Sequence, residues 1–442
     1  MSDHAAKVAR LSAALGAGGE PVRLAKRTSN LFRDRASGAR RRLDVRGLCE
    51  VLVVDPKERC IDAEGMAPYA RITELCAPTG VMPAVVPQLK SITVGGAVAG
   101  VAIESSSFRY GLVHETVEEL EVLTGTGEVV VCRPDNAHRD LFYGFPNSYG
   151  TLGYALRVVV RAVPVKRYLR LEHRRYDNAK TFFLDLEAAC DSRADFLDGV
   201  VFGADDMVMS AAGFVDEVPY TSDYSFENIY YRSLREREED YLTTLDYLWR
   251  WDTDWFWCSK NVGAQIPLLR KFVFGRERLN SITYAKIMRL NSRLGFTRAL
   301  ARLGGRHTES VIQDVDIPIA RCAEFLDFLR REIGILPIWI CPVRALSGDF
   351  VLYPLKPGAL YVNFGFWDVV SRRQPFAAGY HNRQIEREVK RLGGIKSLYS
   401  DSYYDPYEFA ALYGGERYRA LKARYDPQGA FPNLYEKCVL KR

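Results

Sequence analysis

Residues 87–107 read PQLKSITVGGAVAGVAIESSS. Apolar side chains here are interleaved with Gly, Ala and Ser, so the stretch packs closely against a neighbour without filling space itself. Gly95 and Gly96 stand together, and Gly100 follows four positions later. Such a backbone allows its N–H groups to approach a long ligand, which is what a dinucleotide pyrophosphate demands. The usual fingerprint, G-x-G-x-x-G between a strand and a helix, is absent. Ser105, Ser106 and Ser107 add hydroxyls for phosphate or ring edges. On these residues alone, a Gly-rich turn that serves helix packing explains the stretch equally well.

Working outward, VRLA (22–25) reads as a short strand that leads into the small polar loop KRTSN. CEVLVVDPKERCIDAEG reads as a hairpin turning at Asp55, Pro56 and Lys57, and APYARITELCAPTG as an amphipathic helix stopped by Pro78 and Gly80. After the Gly-rich stretch, VEELEVLTGTGEVVVCRP is a second hairpin, turning at Gly125, Thr126 and Gly127. NSYGTLGYALRVVVRAVPV is a Gly-rich turn followed by a strand. Beyond Pro164 the composition shifts to aromatics and charges. CAEFLDFLRREIG has helical spacing and LYVNFGFW reads as a strand. RYRALKARYDPQGAFPNLYEK is a helix with a Pro-punctuated tail. No internal repeat is visible.

The chain has 442 residues, 48% hydrophobic and 26% charged, which suits a globular protein of two domains. No apolar run reaches the ~18–20 residues of a bilayer span. The N-terminus lacks a charged-then-apolar signal pattern with a cleavage site, so it reads as the mature N-terminus of a cytoplasmic protein, with residues 1–20 as a leader ahead of the first strand. Nine scattered Cys without a CxxC pair predict reduced thiols, and six isolated His give no metal spacing.

The order of these segments resembles the FAD-binding domain of the vanillyl-alcohol oxidase (PCMH-type) superfamily. GGAVAGVAIESSSFRYGL, DLFYGFPNSYGTLGY, LPIWICP and LYSDSYYDPYEF are similar to its delta-24-sterol reductase branch. VRLAKRTSNLFR, VVPQLKSITVGGAV, GFPNSYGTLGYA and DYLWRWDTDWFWCS look closer still to bacterial reductases that complete methyl-branched fatty acids of the tuberculostearate type. The resemblance implies an α+β fold. A two-subdomain FAD-binding domain (1–165) would precede a substrate or cap domain (166–405), and a C-terminal helix and tail (406–442) would return toward the flavin domain.

It also implies the cofactor site. Lys26, Arg27, Thr28, Ser29 and Asn30 would cradle the pyrophosphate. Pro87, Gln88, Thr93, Gly95, Gly96, Gly100, Glu104, Ser105 and Ser106 would line the flavin and its ribityl chain. Gly150, Thr151 and Gly153 would meet the adenine side or the far phosphate. Many superfamily members carry Gly-Gly-x-His after the first strand, and some bind FAD covalently through that His. KRTSN has neither residue, so the expectation is noncovalent FAD.

Both close branches reduce an electron-rich C=C bond in a lipid. Hydride cannot add to such a bond directly, so a proton must come first, followed by hydride from reduced flavin. That order requires a positioned acid, a dry site and walls that tolerate positive charge. Four of the six Trp lie between residues 249 and 257. Trp251 and Trp255, four apart, would share a helix face as a substrate wall, with Asp252 beside them; an aromatic core helix is the plainer reading. For the acid, Tyr403 is preferred, with Tyr404 as alternate and Asp401 or Lys396 tuning it. Ordinary aromatic packing would explain the same residues, and His114 and His381 read as structural.

Residues 270–306 hold ten Lys or Arg and one acid, Glu277, mixed with Leu, Ile, Phe and Met. A basic amphipathic segment of this kind suits the inner face of an anionic membrane; a solvated face or an oligomer contact are the alternatives. Nucleic acid is not expected. The leading function is an FAD-dependent reductase of a methylene fatty acyl group, free or phospholipid-borne, with NADPH as donor and a methyltransferase acting upstream. Its competitors are a sterol side-chain reductase, an oxidase of an alcohol or sugar, and a non-catalytic flavin-binding scaffold.

Overall fold

A computed structural model describes residues 3–16, 21–26, 32–33, 41–294, 301 and 303–441. The fold is α+β, as expected. The stretch read as a leader instead forms the helix Asp3–Gly16. Its Ala-rich sequence favours helix, and Leu11 and Leu15 bury against Leu43, Leu123 and Leu156. His4 and Lys7 reach the buried Glu64 carboxylate at 2.9 and 3.2 Å. Strand β1 (Val22–Ala25) pairs in parallel with β2 (Arg41–Asp44).

A six-stranded sheet follows. Strands β3 (Val51–Asp55) and β4 (Cys60–Glu64) form the first expected hairpin. The Asp55 side chain accepts from the N–H groups of Lys57 and Glu58 and closes the turn. Next come β5 (Val81–Pro83), β6 (Val117–Leu123), β7 (Val129–Cys132) and the long β8 (Tyr154–Pro164). The order is β3-β4-β8-β6-β7, with β5 also on β8. The helix Tyr69–Cys76 ends near Gly80, whose φ of 76° only Gly adopts cheaply.

The second sheet has eight strands: β9 (Tyr168–Tyr176), β10 (Phe196–Val201), β11 (Met207–Val215), β12 (Glu239–Thr243), β13 (His307–Pro318), β14 (Ile338–Arg344), β15 (Leu360–Arg372) and β16 (Ile395–Lys396). Their order is β12-β9-β11-β10-β14-β15-β13-β16. Strand periodicity sorts the side chains. Val311 and Val315 join Phe364 in a core with Phe182 and Phe183 of the helix Ala179–Ala189, Phe325 of Cys322–Phe328 and Ile385 of Tyr380–Arg391. The alternate residues of β13, Asp314 and Asp316, lie on the other face. The helices Gly415–Tyr425 and Leu434–Cys438 pack back onto the first unit, where Lys422 Nζ donates to the Thr151 carbonyl at 2.8 Å. Among the described residues no helix is long and apolar enough to cross a membrane.

Candidate active site

The Gly-rich stretch contains a six-residue helix, Val94–Ala99. The Thr93 side chain caps it by accepting from the Gly96 N–H at 3.3 Å. Gly95 N–H donates to the Gly65 carbonyl at 2.9 Å. A Cβ on Gly95 would stand 2.7 Å from that oxygen, so the close approach requires Gly. The loop after residue 146 docks on the helix end: Asn147 and Tyr149 donate their N–H groups to the carbonyls of Gly100 and Ala99. Asn147, Tyr149, Gly150 and Gly153 all have positive φ there, and non-Gly residues tolerate that only when their surroundings hold them.

A cavity of about 340 Å³ runs along this framework. On one side it is lined by Pro87, Gln88, Thr93, Gly95, Gly96 and Gly100, with Gly150, Gly153 and Lys26. On the other it meets Trp255, Phe256, Trp339, Trp367, Tyr399 and Asp314. Four buried polar atoms of its lining, Arg33 Nη2, Gln88 Nε2, Tyr149 Oη and Asp314 Oδ1, have no hydrogen-bond partner among the described residues. Buried polar atoms are nearly always bonded, so these suit a large polar ligand. A Gly-walled trough beside unpaired donors fits FAD. The cavity lining contains neither His nor Cys among the described residues.

Several expected cofactor residues are not at the cavity. Glu104 is buried in an ion pair with Arg250 at 3.0 Å and accepts from Ser105 Oγ at 2.7 Å. Arg250 also holds Asp198 at 2.8 Å, and Asp198 accepts from the Trp339 indole at 3.2 Å. Glu104 and Ser105 therefore join the two sheets and orient a cavity wall. The hydroxyls of Ser106 and Thr151 donate to the carbonyls of Ala84 and Ser148, which makes them turn residues. Arg27, Thr28, Ser29 and Asn30 lie outside the described residues.

The Trp-rich stretch departs from the helical expectation. The helix Thr244–Leu248 stops, and a run of turns follows in which Trp255 and Phe256 have φ of 45° and 59°. This geometry separates the two Trp. Trp255 faces the cavity, 5.2 Å from the Phe32 ring, whereas Trp251 is fully buried and stacked on Phe256 at 4.7 Å. Asp252 is a brace, accepting from Ser281 Oγ at 2.7 Å and Lys90 N–H at 3.1 Å.

The other acid candidates also sit away from the cavity. Lys396 Nζ is buried against Glu386 and Ser402. Glu386 accepts from the Tyr403 N–H, and the Tyr403 ring packs on Gly379. Tyr404 is buried beside Tyr413 at 5.8 Å. Asp401 pairs with Lys441, which does line the cavity. Fixed hydrogen bonds and packing hold all of these side chains behind the wall.

Asp314 takes the place expected of them. Strand β13 presents it opposite Gly365 of β15, with Trp339 of β14 opposite the other side of Gly365. A Cβ at Gly365 would stand 2.7 Å from the Trp367 ring and 2.8 Å from Asp314 Oδ1. The missing side chain makes room for both. The Tyr399 hydroxyl bonds the Asp314 carboxyl and accepts from the Trp367 indole at 2.9 Å. Burial pushes the Asp314 carboxyl up to about 7, against the lowering bond from Tyr399. Sequence reasoning missed it. The available signal was DVD in HTESVIQDVDIP, two acids on the same face of a strand and flanking a buried Val.

A profile described as FAD binding domain matches residues 2–133. The chain is 30% identical over 409 residues to the Delta(24)-sterol reductase of Macaca fascicularis, covering 88% of this chain and 76% of that protein. The Rattus norvegicus Delta(24)-sterol reductase is 29% identical over 410 residues with the same coverage. The Arabidopsis thaliana protein of that name is 26% identical over 432 residues, covering 88% and 74%.

Proposed function

Because this chain belongs to the delta(24)-sterol reductase family of FAD-dependent oxidoreductases, we propose that it reduces an unactivated, electron-rich C=C bond of a lipid. The observation that carries this reading is the protonatable Asp314 carboxyl among Trp255, Phe256, Trp339 and Trp367, beside the Gly-rich trough. Lys26, Gln88, Thr93, Gly95, Gly96, Gly100, Gly150 and Gly153 would hold FAD, noncovalently. When bound and reduced, FAD supplies the hydride.

The chain's own residues do the rest. Asp314, raised to about 7, keeps a proton on a substantial fraction of its carboxyl at neutral pH and delivers it to the less substituted alkene carbon. Positive charge then develops on the tertiary carbon, where aromatic faces favour it by about 1–2 kcal/mol. The apolar rings exclude water that would trap the cation as an alcohol. Tyr399 orients the carboxyl and, as its bonded neighbour, steadies the carboxylate that remains.

The substrate within this class is a methylene fatty acyl group, reduced to a methyl branch with NADPH as electron source. The resemblance of runs such as VRLAKRTSNLFR and DYLWRWDTDWFWCS to methyl-branched fatty acid reductases supports it, and a methyltransferase would supply that alkene. The second reading is a sterol side chain, favoured by the names of the relatives. Both alkenes give a tertiary cation on protonation, so the same site chemistry serves either.

The test is anaerobic. NADPH should bleach the flavin, and a methylene fatty acyl lipid should restore its colour while forming the methyl branch. Restoration by a Δ24 sterol alone would select the second reading. Bleaching by an alcohol or sugar, with no reoxidation by any alkene, would discard both.

A further inference from the structure

Residues 266–290 gather an unusual share of exposed apolar surface. Among the described residues, eight of the eighteen exposed large hydrophobic side chains lie in this span; Leu268 is 70% and Phe272 75% exposed. Contiguous exposure of this kind marks a contact surface. Five exposed cations, Lys271, Arg276, Arg278, Lys286 and Arg289, are interspersed with one exposed acid, Glu277. Arg276 also pairs with Asp223 at 3.1 Å, and Arg278 donates to the Val273 carbonyl.

The helix Ser281–Leu294 sorts its residues by face. Ser281 and Tyr284 are buried, and Ala285 and Met288 pack against the core. Ile282, Lys286, Arg289 and Leu290 fall within an outward arc of about 100°. Apolar and cationic groups therefore share one face, the arrangement that beds in a headgroup layer with its charges against anionic phosphates.

The segment is also fixed to the cavity wall. Arg270 grips both carboxyl oxygens of Asp254 at 2.8 and 3.0 Å. Ser281 bonds Asp252, and the Tyr284 hydroxyl donates to the Thr253 carbonyl at 2.7 Å. These anchors lie in the turn that carries Trp255 and Phe256 into the cavity.

We propose that residues 266–290 dock this protein on an anionic lipid bilayer, with Leu268, Phe272 and Leu290 in the headgroup layer and Lys271 and Lys286 on lipid phosphates. The surface stands independently of which bond is reduced. Docking brings the wall of the cavity to the lipid in which an acyl substrate resides.

The FAD-loaded full chain is sedimented with vesicles of phosphatidylglycerol and phosphatidylcholine, and with phosphatidylcholine alone. Binding to the anionic vesicles is expected, weakening as salt rises. Lys271→Glu with Lys286→Glu should weaken it on the order of tenfold or more, and Leu268→Ser with Phe272→Ser comparably. Unchanged flavin absorbance in the variants reports an intact fold. No binding at low salt, or equal binding by both variants, overturns the proposal. So does a dimer in sedimentation velocity that Phe272→Ser abolishes while vesicles stay unbound, since a second copy would then be the occupant. Reoxidation by detergent-dispersed substrate reads the chemistry separately, so failure of docking and failure of the reductase reading remain distinguishable.

Discussion

Asp314 combines two properties that a proton donor to an alkene needs: it reaches the cavity, and burial raises its carboxyl to about 7, so a substantial fraction keeps its proton near neutral pH. Asp314→Asn keeps the shape and removes the proton. It should slow substrate-driven flavin reoxidation by about 10²–10⁴-fold, while reduction by the donor proposed above, NADPH, should stay within about twofold of the parent, since that half-reaction would ask nothing of the acid. Rapid-mixing absorbance reads both steps. In the parent protein the reoxidation rate should hold steady below pH about 7 and fall above it, as the carboxyl ionises; the Asn variant should lose that break. A rate in Asp314→Asn equal to the parent's would remove Asp314 from the mechanism.

At the scale of elements, two short pieces of chain do most to shape the site. The helix Val94–Ala99 lies against Gly65 so closely that Gly95→Ala would drive a methyl to 3.0 Å or less from Gly65 Cα and its carbonyl oxygen. Backbone cannot yield as a side chain can, so the helix must lift. The variant should purify with most of its flavin lost, as measured by the ratio of visible to protein absorbance. The second piece is the joint between the sheets, where buried Arg250 serves both Glu104 and Asp198. Arg250→Met leaves two carboxylates without their cation. It should cost about 3–5 kcal/mol in chemical denaturation and release the Trp339 indole from its fixed partner. Arg250→Lys should recover part of the stability but not the two-sided grip, because an ammonium lacks the planar fork.

Over the whole molecule, buried groups of opposite kind set the pH response. Burial holds His114 near 3 and His173 near 4. The unfolded chain protonates these rings below about 6.5 and the folded one does not, so they take stability away as pH falls. Asp314 and Asp316 are pushed up to about 7 and 6. Their folded carboxyls keep protons that unfolded ones release above 3.8, so they take stability away as pH rises. Between about pH 4 and 6 the two effects oppose each other. Asp314→Asn removes one opposing group, so its Tm should fall more steeply than the parent's over that acid range; a parallel fall would contradict the assignment. Part of this architecture was legible in the chain. Both hairpins, the helix at Tyr69–Cys76, the strand at VRLA and the Gly residues of the cavity follow from alternation, turn residues and small-residue spacing, all of which act over a few neighbours. The N-terminal helix was missed because a short Ala-rich run resembles a leader until its partners, Leu43 and Leu156, are known. The acid was missed for a related reason. Asp314 differs from any strand aspartate only through Tyr399, Trp367 and the gap at Gly365, which reach it across β-sheet pairing and from a loop far along the chain. Local chemistry marked the Gly-rich stretch that lines the trough, and the resemblance of the segment order to a known FAD-binding domain assigned a flavin to it. Only the tertiary structure decided which carboxyl meets the cavity, because solvent exclusion and hydrogen-bond partners are properties of the surroundings and not of the residue.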